Sequence, residues 1–298
     1  IIEESEKALD KARETFAYYD KIGDYNQQKV LSAFINNKVT EADFGESTGY
    51  GYSDRGREKL DRIFADVFGA EDAIVRHSFT CGTHTLSVAL FGVLRPGDTM
   101  LCVTGTPYDT IHNVIGITGS GMGSLKDFGV KYKQTELDLN GEPDWAGIEN
   151  ELKSNPKMVY IQRSRGYSLR PSLSVEKIKQ IADFVHKRSD SIVMVDNCYG
   201  EFTDLLEPGH VGADLMAGSL IKNPGGGLAP AGGYVAGREV LVQRAAARLT
   251  TPGIGGECGA TLGSNRLLFQ GLFIAPHIVA QALKTAVFCA AIMDEIGI

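Results

Sequence analysis

The stretch 191–222 constrains the fold more than any other part of the sequence. Two short apolar runs, residues 191–195 and 213–217, are each bounded by polar residues, a pattern typical of strands buried in a parallel sheet. Asp196 follows the first run, and Lys222 lies just beyond the end of the second. Because ligands of open α/β sheets bind at the carboxyl ends of strands, we expect both side chains to reach one crevice.

The chemistry of these two residues favours a cofactor site. Lys222 precedes a glycine-rich turn at 223–227, where desolvation is expected to lower the pKa of its amine and leave it able to form a Schiff base. An aspartate in the same crevice can hold the protonated ring nitrogen of pyridoxal 5'-phosphate (PLP), and Ser219 is placed to bond the cofactor phosphate. Taken singly, Asp196 fits a strand-ending turn and Lys222 a solvated loop, so the PLP interpretation rests on their combination.

Three motifs in this stretch resemble a known family. In the fold-type-I PLP-dependent enzymes of the cystathionine lyase and methionine γ-lyase branch, an apolar strand ends in Asp-Asn-x-Tyr and is followed by Gly-Ala-Asp and Ser-x-x-Lys. The corresponding residues here are Asp196-Asn197-Cys198-Tyr199, Gly212-Ala213-Asp214 and Ser219-Leu220-Ile221-Lys222. The sequence resembles in particular a subgroup of aluminium resistance proteins, also described as cystathionine β-lyase-like, in the segments TGYGYSDRGREKLDRIFADVFGAEDAIVR, GTPYDTI, QRSRGYSLRPSL and GGECGATLGSNRLLFQGLFIAPH.

The resemblance implies a fold and a set of site residues. The fold is α/β and PLP-dependent transferase-like (fold type I), with a mostly parallel sheet, helices on both faces and an N-terminal helical arm. Catalysis is assigned to Lys222, Asp196 and Tyr108, with Tyr108 stacking on the pyridine ring. Cofactor binding is assigned to those three residues and to Ser219, Cys81, Gly82, Thr83, Tyr52 and Arg55. Substrate binding is assigned to Tyr50, Arg163 and Arg165.

Some of these residues also have a simpler interpretation. Thr80 can cap the helix that follows it without any bound phosphate, and a tyrosine after a proline, such as Tyr108, is often a packing residue. In the family, the loop that holds Tyr52 reaches the cofactor phosphate of a neighbouring subunit. Tyr52-Ser53 matches that motif, whereas Arg55 stands later than the family's arginine.

One family residue has no counterpart in the sequence. An asparagine that contacts the phenolic oxygen of the cofactor is missing near 163–165. That contact is therefore either lost or supplied by Arg163, Ser164 or Arg165. A substrate carboxylate is another partner for one of the two arginines.

Composition argues against several classes of function. The formal net charge of −7 and the pI near 5.4 argue against a nucleic-acid partner, and no unbroken run of about 18 apolar residues predicts a membrane span. Residues 1–7 lack the basic and apolar regions of a signal peptide. The five cysteines lie apart, without CxxC or ligand-like pairing with histidine, which favours a cytoplasmic location and no metal site.

The alternation of predicted strands and helices favours an α/β fold with a mostly parallel sheet. Helices are predicted at 3–21, 26–36, 57–68, 85–94, 175–187, 238–250 and 276–296. We divide the chain into an N-terminal helical arm (1–45), a PLP-binding large domain (46–250) and a glycine-rich loop with a long helix (251–298). That helix is expected to lead toward a C-terminal domain that the family has and this sequence lacks.

The function expected from the resemblance is that of a PLP-dependent carbon–sulfur lyase that eliminates a thiol from a sulfur amino acid such as cystathionine or methionine. Two alternatives remain: another PLP reaction on the same scaffold, such as transamination or racemisation, and a non-catalytic metal-tolerance or stress protein. We expect a small-molecule amino-acid substrate, no nucleic-acid or membrane partner, and a homodimer or homotetramer with active sites at the subunit interface.

Overall fold

Seven strands form one mixed sheet: β1 (Asp72–Arg76), β2 (Thr99–Cys102), β3 (Lys131–Gln134), β4 (Met158–Gln162), β5 (Ile192–Asp196), β6 (Leu215–Ser219) and β7 (Gly233–Gly237). The computed structural model describes residues 2–119 and 121–298. Across the sheet the order is β1-β7-β6-β5-β4-β2-β3. Strands β3, β2, β4, β5 and β6 pair in parallel, and β7 runs antiparallel to both β6 and β1.

The strands are buried on both faces because their side chains alternate between two apolar clusters. In β5, Val193 and Val195 belong to one cluster, and Ile192 and Met194 to the other. The first cluster includes side chains of α2 (Arg55–Phe68), α5 (Trp145–Leu152) and α6 (Val175–His186). The second includes side chains of α3 (Gly82–Val93), α4 (Asp109–Ile115) and α7 (Glu239–Leu249). Helices therefore cover both faces, which confirms the predicted α/β fold.

The N-terminal helical region differs from its prediction. Residues 3–21 and 26–36 were expected to form two helices, but they belong to one continuous helix, α1 (Ile2–Asn36). Gly23, inside this helix, faces α8 (Asn265–Glu295), where an added Cβ would lie 3.0 Å from the Cβ of Ala280. The glycine thus serves close helix–helix packing, and that packing outweighs its low helix propensity. Residue 1 lies outside the described residues.

Helix α8 also begins earlier than predicted. It starts at Asn265, and Pro276 lies buried within it rather than at its first turn. Leu268, Phe269 and Leu272, in the part that precedes the proline, are buried in the first apolar cluster. Burial of these side chains is worth about 1.5–3 kcal/mol each, enough to outweigh the roughly 3 kcal/mol cost of an internal proline.

The long apolar helix α8 bears on the expectation from composition that no segment spans a membrane. Its 31 residues are long and apolar enough to cross a membrane, although polar residues interrupt the run. Such a helix is weak evidence for a membrane span, because core helices meet the same criterion. In the structure, α8 packs along α1, and ion pairs join Lys284 to Asp20 and Lys11 to Asp294.

Candidate active site

The two residues that organise the sequence lie at one edge of the sheet. Asp196 is the last residue of β5, and Lys222 follows the end of the neighbouring parallel strand β6 by three residues. Gly82, at the start of α3, faces the same space. A Cβ placed on Gly82 would lie 3.4 Å from Ser219 Cβ, 3.5 Å from Cys198 Sγ and 3.8 Å from Lys222 Nζ. The fold therefore brings Lys222, Ser219 and Gly82 together, as the sequence predicted.

Asp196 is a buried acid, and its side chain has few protein donors. The residue is 5% exposed. The Cys198 amide donates to Oδ1 over 3.1 Å, and the Tyr160 hydroxyl donates to Oδ2 over 3.3 Å. Burial raises the pKa of the Asp196 carboxyl above its ordinary value, against the opposing effect of these donors and of Lys222. A carboxylate in this position is stabilised by a cation close to it.

The electrostatic surroundings of Lys222 differ from the sequence prediction. Burial lowers the pKa of the Lys222 amine, but negative charge on Cys198, Tyr199 and Asp196 outweighs burial, so the pKa is raised overall. The expectation of a lowered pKa, based on desolvation alone, was therefore wrong for the protein without cofactor. Lys222 Nζ lies 4.1 Å from the ring centroid of Tyr199, within the range of a cation–π contact.

Tyr199 is a site residue that the sequence analysis quoted in a motif without assigning it a role. Its φ of +67° lies in the left-handed region, which costs a non-glycine residue free energy and is enriched at functional sites. This backbone conformation belongs to the turn that carries the ring over Lys222. An aromatic residue three positions after a strand-ending acid was the available signal.

The space beside Ser219 fits a phosphate group. Ser219 is fully buried, and its Oγ is among the buried polar atoms without a hydrogen-bond partner in the described part of the chain. Helix α3 begins next to it at Gly82, with Cys81 as the N-cap accepting from the His84 amide. An amino-terminal helix turn has free N–H groups that bind anions. An unpartnered buried hydroxyl at that turn, next to a lysine, fits the phosphate end of PLP.

Thr83 lies in the first turn of α3, and Tyr108 directly precedes the neighbouring helix α4. The Thr83 hydroxyl hydrogen-bonds the Thr110 hydroxyl over 2.7 Å, which ties α3 to α4. Tyr108 is the N-cap of α4 and is 37% exposed. Its amide donates to Gln162 Oε1 over 2.5 Å. The assignment of Tyr108 to ring stacking stays a prediction.

Arg163 differs from its predicted role because its guanidinium is already engaged. The side chain is 3% exposed. It donates to Asn197 Oδ1 and to Asp204 Oδ2, each over 2.7 Å, and also to Thr203 and to the Leu173 carbonyl. Arg163 thus supports the turn after β5 from within the protein, which leaves it poorly placed to bind a substrate carboxylate. Arg165, two residues further on, is exposed and remains the candidate for that role.

The loop that carries Tyr50 and Tyr52 packs on residues 257–261, within the glycine-rich segment 251–263. Tyr50 and Tyr52 are 76% and 56% exposed, with ring centroids 6.0 Å apart. Arg57 is buried and donates to the carbonyls of Gly51 and Gly259, which fixes the loop to that segment. Arg55 forms an ion pair of 2.6 Å with Asp43 within its own chain. Contact between this loop and a neighbouring subunit stays a prediction.

The fold and this site together define a class of protein. A lysine and a buried acid at the carboxyl edge of a mostly parallel sheet, beside a helix amino terminus, are the arrangement of the fold-type-I PLP-dependent enzymes. The PLP-dependent protein YhfS from Escherichia coli, 17% identical, has the same architecture with a TM-score of 0.63. The methionine gamma lyase CalE6 from Micromonospora echinospora, 20% identical, matches with a TM-score of 0.54, and both likenesses show the fold alone. The chain belongs to the methionine gamma-lyase family, whose model matches residues 1–298.

Relatives in this family have been solved at high similarity. A Listeria monocytogenes protein named as a candidate cystathionine beta-lyase involved in aluminium resistance is 50% identical, with a TM-score of 0.98 over 100% of this chain and 74% of that one. A carbon–sulfur lyase involved in aluminium resistance from Clostridium novyi is 52% identical, with a TM-score of 0.96 over 99% of this chain and 71% of that one. The Bacillus subtilis protein YnbB is 49% identical over 93% of this chain. The chain spans 66% of the length of YnbB.

Proposed function

We propose that the protein is a PLP-dependent carbon–sulfur lyase that releases a thiol from a sulfur amino acid. The observation that supports this most directly is the convergence of Lys222, Ser219 and Gly82 at one point, next to the buried Asp196. A lysine, a phosphate cradle and an acid are the three protein groups that PLP requires. The Clostridium novyi relative, 52% identical, is named a carbon–sulfur lyase, which favours that reaction over others on the scaffold.

Some residues of this site are assigned to cofactor binding and others to proton transfer. PLP, when bound, supplies an electron sink for the α-carbon of an amino acid. Lys222 would hold it covalently, and Asp196 would keep its ring nitrogen protonated. Ser219 and the first amides of α3 would bind the phosphate, and an added Cβ at Gly82 would narrow this space.

Lys222 has a second role once substrate is bound. Its amine would take the proton from the substrate α-carbon. The sulfur would leave as a thiolate with the electron pair of the broken carbon–sulfur bond, and the Lys222 ammonium would return the proton to give the thiol. The ring of Tyr199, 4.1 Å from Nζ, restricts where that amine can lie. Exposed Arg165 is the candidate partner for the substrate carboxylate.

The test is chemical mapping of the cofactor on the full chain. Purified protein with added PLP is expected to show a visible absorption band that borohydride removes, and mass spectrometry should place the reduced adduct on Lys222. Lys222→Ala should lack the adduct and all thiol release. An adduct on another lysine, or a protein that stays colourless with PLP, would contradict the proposal. Keto acid formed without thiol would indicate a different PLP reaction.

A further inference from the structure

Tyr108 has a partner that the proposed function does not use. The rings of Tyr108 and Tyr167 lie 5.4 Å apart, centroid to centroid, at an interplanar angle of 31°. The Tyr108 hydroxyl donates to the Tyr167 hydroxyl over 3.1 Å. Both the ring and the hydroxyl of Tyr108 are therefore in contact with one residue from a different loop. Tyr167 itself is 82% exposed, so burial of its own side chain does not explain this contact.

The segment that precedes Tyr167 is shaped to approach Tyr108. Gln162, at the end of β4, accepts the Tyr108 amide proton over 2.5 Å. Gly166 has a φ of +57°, and an added Cβ there would lie 3.4 Å from both Tyr108 Cδ2 and Gln162 Nε2. A residue with a side chain would be strained in this conformation, and its Cβ would touch the tyrosine ring. Residues 162–167 therefore hold Tyr108 at its backbone, along its ring edge and at its hydroxyl.

We propose that Tyr167 is a positioning residue for Tyr108, fixing the plane of its ring at the cofactor site and occupying its hydroxyl as a hydrogen-bond donor. The inference rests on the proposed function, because Tyr108 matters only if a cofactor lies against it. Two tilted rings restrict each other's rotation, and the shared hydrogen bond sets the ring rotation that packing leaves free. The same bond, together with partial burial, raises the pKa of Tyr108 to about 12, so its phenol stays protonated and neutral.

The first experiment measures the titration of the Tyr108 phenol directly, in the full chain without PLP. Fluorotyrosine is incorporated at position 108 and titrated by fluorine NMR in wild type, Tyr167→Phe and Tyr18→Phe. Fluorine lowers the pKa of the phenol in every sample, so the difference between samples is the observable. Tyr167→Phe should lower the midpoint toward that of an unperturbed phenol, since the acceptor is gone. Tyr18, an exposed tyrosine on α1, serves as the control and should leave the midpoint unchanged. Equal midpoints in wild type and Tyr167→Phe would overturn the inference.

The second experiment measures PLP retention in the same variants. Tyr167→Phe keeps the ring, whereas Tyr167→Leu removes it and should weaken PLP binding roughly two- to tenfold. Unchanged retention in Tyr167→Leu would show that Tyr167 does not position the stacking ring. If wild type itself forms no adduct on Lys222, the proposed function fails, and the positioning role fails with it. A normal Lys222 adduct with insensitive titration and retention refutes the positioning role alone.

Discussion

At the scale of single residues, the turn after β5 contains a carboxyl group, that of Glu201, to which the proposed lyase mechanism gives no role. Glu201 is fully buried. The Tyr234 hydroxyl donates to Oε1 over 2.9 Å, while Oε2 is among the buried atoms that lack a partner in the described structure. Burial raises the pKa of Glu201 from 4.5 to about 8, helped by the nearby charge of Glu207. At neutral pH this side chain is therefore mostly protonated.

The raised pKa of Glu201 predicts a pH dependence of stability. The folded state binds this proton more tightly than the unfolded state does, so the free energy of unfolding should fall as pH rises from 4.5 to about 8. Glu201→Gln keeps the acceptor for Tyr234 and should remove that fall. The difference amounts to a few kcal/mol, at about 1.4 kcal/mol per pKa unit.

Urea unfolding at pH 5 and pH 8 measures the free energy of unfolding of both proteins. Glu6→Gln, at an exposed acid on α1, is the control. Parallel pH profiles for wild type and Glu201→Gln would contradict the prediction.

Ser219 allows the binding role of a residue to be separated from its structural role. Because its Oγ has no protein partner in the described structure, Ser219→Ala removes no hydrogen bond from the protein itself. Without PLP, the variant should therefore be as stable as wild type or slightly more stable. Its affinity for PLP should fall by about 1.5–3 kcal/mol, the value of a hydrogen bond to a charged group. Equilibrium dialysis against PLP and unfolding without PLP give the two numbers. Lower stability without PLP, or unchanged affinity, would be inconsistent with a phosphate ligand.

At the scale of the elements, the turn between β5 and β6 is held by a buried cation. Arg163 bonds Asn197, which follows Asp196 directly, and also Asp204. Arg163→Met should lower the free energy of unfolding by about 3–5 kcal/mol, because it leaves buried acceptors unpaired. Arg165→Met, at an exposed position on the same segment, should stay within about 0.5 kcal/mol of wild type. If the two variants lower the free energy of unfolding equally, measured by urea unfolding, Arg163 does not have the structural role assigned to it.

The same scale shows what the sequence could and could not predict. Strands β5 and β6 were predictable because each is a short apolar run buried on both faces, and Asp196 and Lys222 follow from their ends. The extents of α1 and α8 were not predictable, because Gly23 and Pro276 are local helix breakers that long-range packing overrides.

Several site residues were missed for a related reason. Tyr199 and Tyr167 depend on turn geometry, because the backbone is in the left-handed region at Tyr199 itself and at Gly166, directly before Tyr167. Arg163 was placed near the substrate because it follows a strand end, but its side chain turns inward to Asn197. Residue type and spacing do not fix the direction of a side chain in a loop.

At the scale of the whole molecule, we expect each active site to be shared between two subunits. Tyr52 is 56% exposed on a loop fixed by Arg57, and closed two-fold dimers are the commonest assembly. Inactive Tyr52→Phe and Lys222→Ala chains, mixed under exchange conditions, should then regain activity. A hybrid dimer has one site with both residues intact, so random exchange should restore roughly a quarter of wild-type activity. A fully active PLP-bound monomer, or a mixture that stays inactive despite proven exchange, would show that sites are not shared.

The pairing of α1 with α8 has a consequence for how the chain reaches its fold. Lys11 contacts Asp294, 283 residues later, so the part of α1 that packs on α8 lacks that partner until α8 has been synthesised. At about 5–20 residues per second, that interval is on the order of tens of seconds. During it, the side of α1 that includes Ala8, Ile22 and Val30, all buried in the final structure, is open to solvent and to other nascent chains. The sheet and its cofactor edge can assemble earlier, from segments closer in sequence. During synthesis, this side of α1 is therefore available for binding by chaperones.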